Sequence, residues 1–450
     1  MVSIAAIAAA ARVVVIAWAA SRFPASGDGQ YYAKLADRIA HGLGYTWAWP
    51  DGVVTYAAHY PVGYPALIAL ADLVLGPSVA SAMWLNGLLG TLAALAAHQI
   101  LLPRTTPRRA FLGALVVALH PALLMYTPAL MTEGVTASLL VIALALVRGR
   151  TRAAFFFGAL VLGIATLVRP QCLLLAPVLG LVAGIPIAPG TSGRPWKRLV
   201  VRALAATAIV LGVCAPWTAR NCTRMNRCAL VSVNGGWNLL IGAQTTSGGW
   251  EELVVPENCR DVFDEAEKDA CFDGAAKKTI AASPGSWLAR TPQKLAVTFD
   301  YFGAAPWYLH LANGASFTEE DKILLGTVET IASRAMLAAA ILVLGFVAAR
   351  RKGRSPVWTW ALVVTTALAF YFALSRHAWP AYGLLVVLGA VAYARTRDRL
   401  VGFTVAIVAA TMITHAVFFG AGRYGLVVVP FVSMIPFGER SRKQNARSPK

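Results

Sequence analysis

The chain has 450 residues, of which 58% are hydrophobic and only 14% charged, and its mean hydropathy is +0.61. Soluble domains carry about 25% charged residues, so this composition excludes an ordinary soluble enzyme and predicts an all-α polytopic membrane protein. The formal net charge of +19 would suit a nucleic-acid binder, but just over half of the bases sit in short clusters between apolar runs, which is the positive-inside pattern. These clusters are Arg104/Arg108/Arg109, Arg148/Arg150/Arg152, Arg194/Lys197/Arg198/Arg202, Arg350/Arg351/Lys352/Arg354, Arg395/Arg397/Arg399 and the tail from Arg440 to Lys450. The charge therefore reports topology, and no nucleic-acid partner is expected.

The first predicted span covers residues 4–20, with Arg12 inside it. No small-residue cleavage site is evident, so the span reads as an uncleaved anchor with the N-terminus inside. Residues 21–78 then form an outer loop. Within it, 29–42 reads as an amphipathic helix, with Tyr31, Leu35 and Ile39 on one face and Lys34, Arg38 and His41 towards the other. The apolar run 63–76 is short for a bilayer that needs roughly 20 residues, and reads as a second interfacial or re-entrant helix. Spans follow at 79–102, 110–127, 130–147, 153–168, 171–188 and 199–217. After a hydrophilic stretch at 218–322 come spans at 324–349, 357–374, 380–394, 400–418 and 423–437, which makes about twelve with both ends inside. Three regions result: a transmembrane module at 1–217 that carries the first outer loop, an extracytoplasmic loop at 218–322, and C-terminal helices with a basic tail at 323–450. No internal repeat is apparent, which speaks against a carrier built from repeated halves.

Four of the six cysteines, Cys222, Cys228, Cys259 and Cys271, fall in the long hydrophilic stretch. On a non-cytoplasmic loop they predict two disulfides, with neighbour-to-neighbour pairing the simplest of three arrangements. A zinc site competes, but no histidine accompanies these cysteines.

The charged residues that break the apolar pattern are the candidate site. Asp28, between Gly27 and Gly29 at the exit of the first span, reads either as a helix N-cap or as a carboxylate that takes a proton from an acceptor hydroxyl, and both can hold at once. Glu133 lies near the outer end of a span, as an interfacial acid paired with a base or as a second carboxylate facing the same cavity. Arg169, Arg220 and Arg423 sit at outer span ends, against the topology rule, and guanidinium matches phosphate geometry. Arg169 could alternatively be an arginine snorkelling to the outer surface. Lys34 can join them as a further phosphate-binding cation. Tyr31, Tyr32, His59, Tyr60, Tyr64 and Tyr424 supply the aromatic and polar surroundings of a substrate. The chain has no Gly-rich phosphate loop, HExxH, CxxC or GxSxG motif, so nucleotide-dependent chemistry is unsupported.

These motifs in this order resemble a GT-C membrane glycosyltransferase, in the branch of the protein O-mannosyltransferases and the aminoarabinose transferases of lipid A (bacterial glycosyltransferase family 39). Asp28 with Tyr31 and Tyr32 resembles the acidic motif of the first outer loop. Tyr60-Pro61-Val62-Gly63-Tyr64-Pro65 is similar to the family's Pro-Pro-Gly-Tyr-Pro segment. Thr132-Glu133 resembles the acid after the third span, Thr166 to Gln171 the Arg-Pro segment, and Arg423-Tyr424 the late Arg-Tyr motif. Pro216-Trp217 through Arg220-Asn221, with Asn234-Gly235-Gly236-Trp237-Asn238, resembles the start of the long loop in bacterial members. Many members have two adjacent acids in the first motif, whereas Gly29 follows Asp28 here, which leaves a divalent metal unsupported; no other cofactor is implied. The resemblance implies a polyprenyl-phosphate sugar as donor, an inverting transfer and a site on the periplasmic face of the inner membrane. It leaves the acceptor open among membrane lipid, glycan and protein. In this reading Asp28 is the general base, the arginines hold the departing lipid phosphate, and Glu133 orients sugar or acceptor. A lipid-linked-sugar flippase or carrier, and a surface-glycan polymerase or ligase, are the alternatives.

Overall fold

The computed structural model describes residues 1–149, 151–183, 195–225, 227–350 and 355–438. Arg150, Arg194, Arg351, Lys352, Arg354 and the basic tail, all parts of the predicted clusters, lie outside the described residues. The protein is an all-α polytopic membrane protein with one short β-hairpin.

Helix α1 (Val2–Ala19) leads into α2 (Asp28–Ala40), then the hairpin β1 (Thr46–Ala48) and β2 (Val54–Tyr56), then α3 (Gly63–Leu75). Next come α4 (Val79–Leu101), α5 (Pro107–Leu119), α6 (Pro121–Leu124), α7 (Thr132–Val147), α8 (Arg152–Val168), α9 (Ala176–Val182) and α10 (Pro195–Arg224). The long loop folds as α11 (Gly235–Gln244), α12 (Glu265–Ala282), α13 (Pro284–Ala289), α14 (Thr291–Phe299) and α15 (Ala304–Ala312). The last part is α16 (Glu319–Ala349), α17 (Pro356–Leu374), α18 (Trp379–Thr396), α19 (Arg399–Val417) and the short α20 (Val429–Met434). Among the described residues, six helices are long and apolar enough to cross a membrane, and further apolar helices of 10–17 residues pack with them.

Several boundaries differ from the sequence expectation for local reasons. The run 110–127 is broken at His120, because Pro121 cannot continue the helix before it and opens a new one instead. Pro170 acts likewise: a 3₁₀ segment, Pro170–Leu175, precedes α9. Helix α10 continues beyond residue 217 to Arg224, so the first turns of the hydrophilic stretch extend an apolar helix. Helix α16 begins at Glu319, where Thr318 and Asp321 form a reciprocal capping box. In α2 the buried face is Tyr32, Leu35 and Ala36, at helical spacing, while Tyr31 is 41% exposed, so the predicted face is rotated by about one residue.

Helix α3, with 13 residues, packs on α2, α4 and α8, and its Gly63 lies so close to the Leu167–Val168 backbone that a Cβ has no room. Arg12, an anomaly in an apolar span, is 3% exposed and donates from Nη1 to the carbonyls of Ala8 and Ala118. Backbone acceptors thus meet part of the cost of burying its head, while Nε is buried with no hydrogen-bond partner among the described residues.

One end of the bundle collects bases. Arg104 pairs with Asp398, Arg109 donates to Pro436 O, Arg148 donates to Gln99 O and Ile100 O, and Arg395 donates to Val347 O. Helix α7 runs from Glu133 in its first turn to this basic end at Val147, about 21 Å at 1.5 Å per residue. The candidate acid and the basic clusters therefore lie at opposite ends of one helix.

The loop cysteines pair as Cys222–Cys228 and Cys259–Cys271, while Cys172 and Cys214 are free and buried. Protein taken from its native membrane and digested without reduction is expected to yield both linked peptide pairs by mass spectrometry. Four free loop thiols would refute the pairing.

Candidate active site

Two acids sit at the starts of two helices. Gly27 precedes α2 with φ of 49°, a left-handed conformation that glycine adopts without a Cβ penalty. Asp28 is thus the first helical residue and not the cap, and no side-chain capping bond forms, which corrects the N-cap reading. Its carboxylate instead accepts from Arg423 Nη1 at 2.6 Å and from the Tyr60 hydroxyl at 3.2 Å. Glu133, in the first turn of α7, is 1% exposed and pairs with Arg169, which also donates to Thr132 Oγ1 at 3.2 Å. Both carboxylates lie at positive helix ends, where negative charge is favoured.

Arg423 joins the two pairs. Its Nε lies 3.5 Å from Glu133 Oε1 while Nη1 holds Asp28, a contact 395 positions apart in the chain. The result is an alternating row, Asp28, Arg423, Glu133, Arg169. Tyr424 forms its floor: the Arg169 and Arg423 guanidiniums lie 4.9 and 5.1 Å from its ring centroid, and His415 stacks on it at 4.2 Å. Glu133 Oε2 is buried with no hydrogen-bond partner among the described residues.

An aromatic wall rises beside Asp28. Tyr31 stacks between Trp47 and Tyr60, with both centroid distances 5.0 Å, and Tyr32 meets Tyr60 and Tyr64 edge-on at 5.3 Å each. Burial alone would raise the Asp28 carboxyl, but Arg423 and the Tyr60 hydroxyl together hold it below the ordinary carboxylate range. The Tyr60 phenol is pushed up by burial and by Asp28, so it stays a hydrogen-bond donor.

The remaining candidates lie around this row. Arg220 turns to the main chain and donates to Ala57 O and Tyr45 O at 2.8 and 2.7 Å. Lys34 lies 5.5 Å over the Trp47 ring. Tyr64 is fully buried and donates to Asn86 Oδ1 at 3.1 Å, behind the wall. His59 packs edge-on against Tyr60 and Trp237.

Burial pushes the His59 imidazole down to about 4, partly offset by Asp28. An unfolded histidine takes its proton near about pH 6.5, so the stability from neutral His59 is complete above that pH and is lost as pH falls towards 4. His59→Gln is therefore expected to flatten the acid limb of thermal stability between these values, measured in detergent at several pH values. An unchanged slope would show that His59 is not held neutral.

Gly29 explains the missing second acid. A Cβ there would meet the Tyr308 hydroxyl at 2.6 Å, Leu130 Cβ at 3.0 Å and Leu130 O at 3.1 Å, so a neighbouring carboxylate would have to displace Tyr308. Among the described residues, no group of three or more His, Cys, Asp or Glu side chains is placed to hold a metal ion. Tyr308 escaped sequence reasoning. Its hydroxyl accepts from Ser26 N at 3.1 Å, 282 positions away, and nothing local marks it.

Over 97% of its length the chain is similar in structure to the oligosaccharyltransferase of Archaeoglobus fulgidus, with 14% identity and a TM-score of 0.47. It spans 50% of that protein, about half its length. It is also similar to ArnT from Cupriavidus metallidurans, solved bound to undecaprenyl phosphate, over 96% of this chain and 77% of that one, with 14% identity and a TM-score of 0.38. The arabinosyltransferase EmbB from Mycobacterium smegmatis is a third, over 89% of this chain and 41% of that one, with 16% identity and a TM-score of 0.34. No protein-family model and no curated protein matches the sequence.

Chemically, the row offers one carboxylate, Asp28, that is 29% exposed and hydrogen-bonded by a phenol, and two guanidiniums that already hold anions. Such a site can accept a proton at Asp28 and bind a phosphate at the arginines.

Proposed function

We propose that this chain is a GT-C membrane glycosyltransferase that moves a sugar from a polyprenyl-phosphate donor to an acceptor hydroxyl at the outer face of the membrane. The observation that carries this reading is the pairing of Asp28 with Arg423 beside Glu133 and Arg169. It puts a candidate base and a candidate phosphate clamp in direct contact, at the end of the bundle opposite the basic clusters. The donor class follows from the sequence resemblance. The outward orientation follows from the positive-inside rule.

In this mechanism the donor phosphate takes its place on Arg423 and Arg169. Arg423 then shares its charge between phosphate and Asp28, and the carboxylate becomes free to meet the acceptor. The acceptor oxygen attacks the anomeric carbon in line, its proton passes to Asp28, and the bond from that carbon to the phosphate oxygen breaks. The sugar is transferred with inversion and polyprenyl phosphate departs with its charge held by the arginines. Glu133 keeps both guanidiniums oriented, and Tyr60 aims Asp28.

The test is direct. Purified protein in nanodiscs is incubated with radiolabelled polyprenyl-phosphate sugars and an extract of cell-envelope lipids and glycans. Release of polyprenyl phosphate together with label in the acceptor fraction supports the reading. Movement of intact donor across the bilayer without cleavage would favour a flippase.

A further inference from the structure

The segment that presents Tyr60 to Asp28 is held almost entirely by groups far away in sequence. Ala57 O accepts from Arg220 Nη1 at 2.8 Å, Ala58 O accepts from Val233 N at 2.9 Å, and Tyr60 O accepts from the Tyr45 hydroxyl at 2.7 Å. The two consecutive N–H groups of Ala58 and His59 both donate to one carboxylate oxygen, Glu265 Oε2, at 2.6 and 2.8 Å. Glu265 is the first residue of α12 and lies more than 200 positions away from the segment. Single-oxygen capture of successive N–H groups fixes both peptide planes, and bonds to an ionised acceptor are the stronger kind.

Helix α12 is itself anchored. Asp264 caps it through the N–H groups of Ala266 and Glu267, Cys271 ties it to Cys259, and Asp269 accepts from Trp237 N at 3.0 Å. The Trp237 ring meets both Phe272 at 5.0 Å and His59 at 5.3 Å, each edge-on. The long loop thus reaches residues 57–60 through the Arg220 guanidinium, the Val233 N–H, the Glu265 carboxylate and the Trp237 indole.

We propose that Glu265 is a positioning residue, by which the extracytoplasmic loop holds residues 57–60 so that the Tyr60 hydroxyl aims the Asp28 carboxylate at the acceptor. This rests on the glycosyltransferase reading above. Glu265 touches neither substrate nor reacting atoms; it acts through Tyr60. A loop far from the row in sequence then sets the turnover of the site without contributing a group to it.

The experiment is a double-mutant cycle on turnover. Full-length protein in nanodiscs is assayed with radiolabelled undecaprenyl-phosphate sugar and the envelope extract, with rates corrected for the folded fraction. Tyr60→Phe removes the hydroxyl and is expected to lower kcat roughly tenfold with donor KM unchanged, because the bond lost orients the base and not the phosphate. Glu265→Ala is expected to do the same, Glu265→Gln to recover most of the rate because its amide oxygen still accepts, and the Tyr60→Phe/Glu265→Ala double variant to be no slower than either single. Losses that multiply to roughly a hundredfold in the double variant overturn the proposal, since Glu265 then acts by another route. Should Glu265→Ala unfold, the Gln variant carries the cycle through Glu265→Gln with and without Tyr60→Phe: any loss it causes must vanish once the hydroxyl is gone. A normal rate for Glu265→Ala beside a slow Tyr60→Phe also overturns it and leaves the assignment of Asp28 standing. Full turnover by Asp28→Asn would instead remove the glycosyltransferase mechanism itself.

Discussion

Replacing Arg423 by glutamine is expected to lower kcat/KM for the lipid-linked donor by about 10²- to 10³-fold, the range found when one charge-stabilising donor is removed from an active site. Among the described residues, Arg423 is the side chain that touches both acids, at 2.6 Å to Asp28 and 3.5 Å to Glu133. Its loss removes the cation proposed to receive the phosphate and the link between the two ion pairs. Arg423→Lys keeps the charge but cannot reach two partners with a planar fork, so it should fall between the two. Initial rates against donor concentration separate the effects on kcat and KM. Wild-type donor dependence in a folded Arg423→Gln protein would show that the phosphate binds elsewhere.

Arg169→Ala is expected to cost stability more than any other single change in the site, about 3 kcal/mol, because it strands a buried carboxylate. Glu133 is 1% exposed and Arg169 is its main partner, with Arg423 Nε only at 3.5 Å. The Arg169→Ala/Glu133→Gln double variant should regain most of the loss, since a neutral amide tolerates burial better than an unpaired charge. Thermal unfolding of the three proteins in one detergent checks this. Equal melting temperatures for the single and double variants would mean that Glu133 is already neutral or compensated in another way.

The members of the site were legible because each broke an expectation. Asp28, Glu133, Arg169 and Arg423 are charged groups at the ends of apolar runs, away from the basic clusters that hold just over half of the bases. Their partners were not legible. The contact between Asp28 and Arg423 closes the bundle over nearly its whole length, and no local pattern encodes it. Gly-Asp-Gly fits a capping aspartate as well as a first-turn one, and only the left-handed Gly27 decides between them. Arg220 looked like a third phosphate ligand because it opens the long loop, yet carbonyls of the first outer loop take its donors. Glu265 stands among many mixed charges in a hydrophilic stretch, so nothing in its neighbourhood sets it apart. The spans themselves were read from hydropathy, and the misplaced ends fall where proline restarts a helix or where a helix runs on past its apolar stretch, as in Thr218 to Arg224.

The most direct test of the mechanism is single-turnover transfer by Asp28→Asn. Asparagine keeps the size of the side chain and an oxygen that can accept from Arg423 and Tyr60, but it cannot take a proton. With labelled polyprenyl-phosphate sugar bound and acceptor added, the folded variant is expected to bind donor normally and to transfer sugar roughly 10²-fold or more slowly than wild type, within the range of general-base catalysis. Near-normal transfer by a folded Asp28→Asn protein would contradict the account.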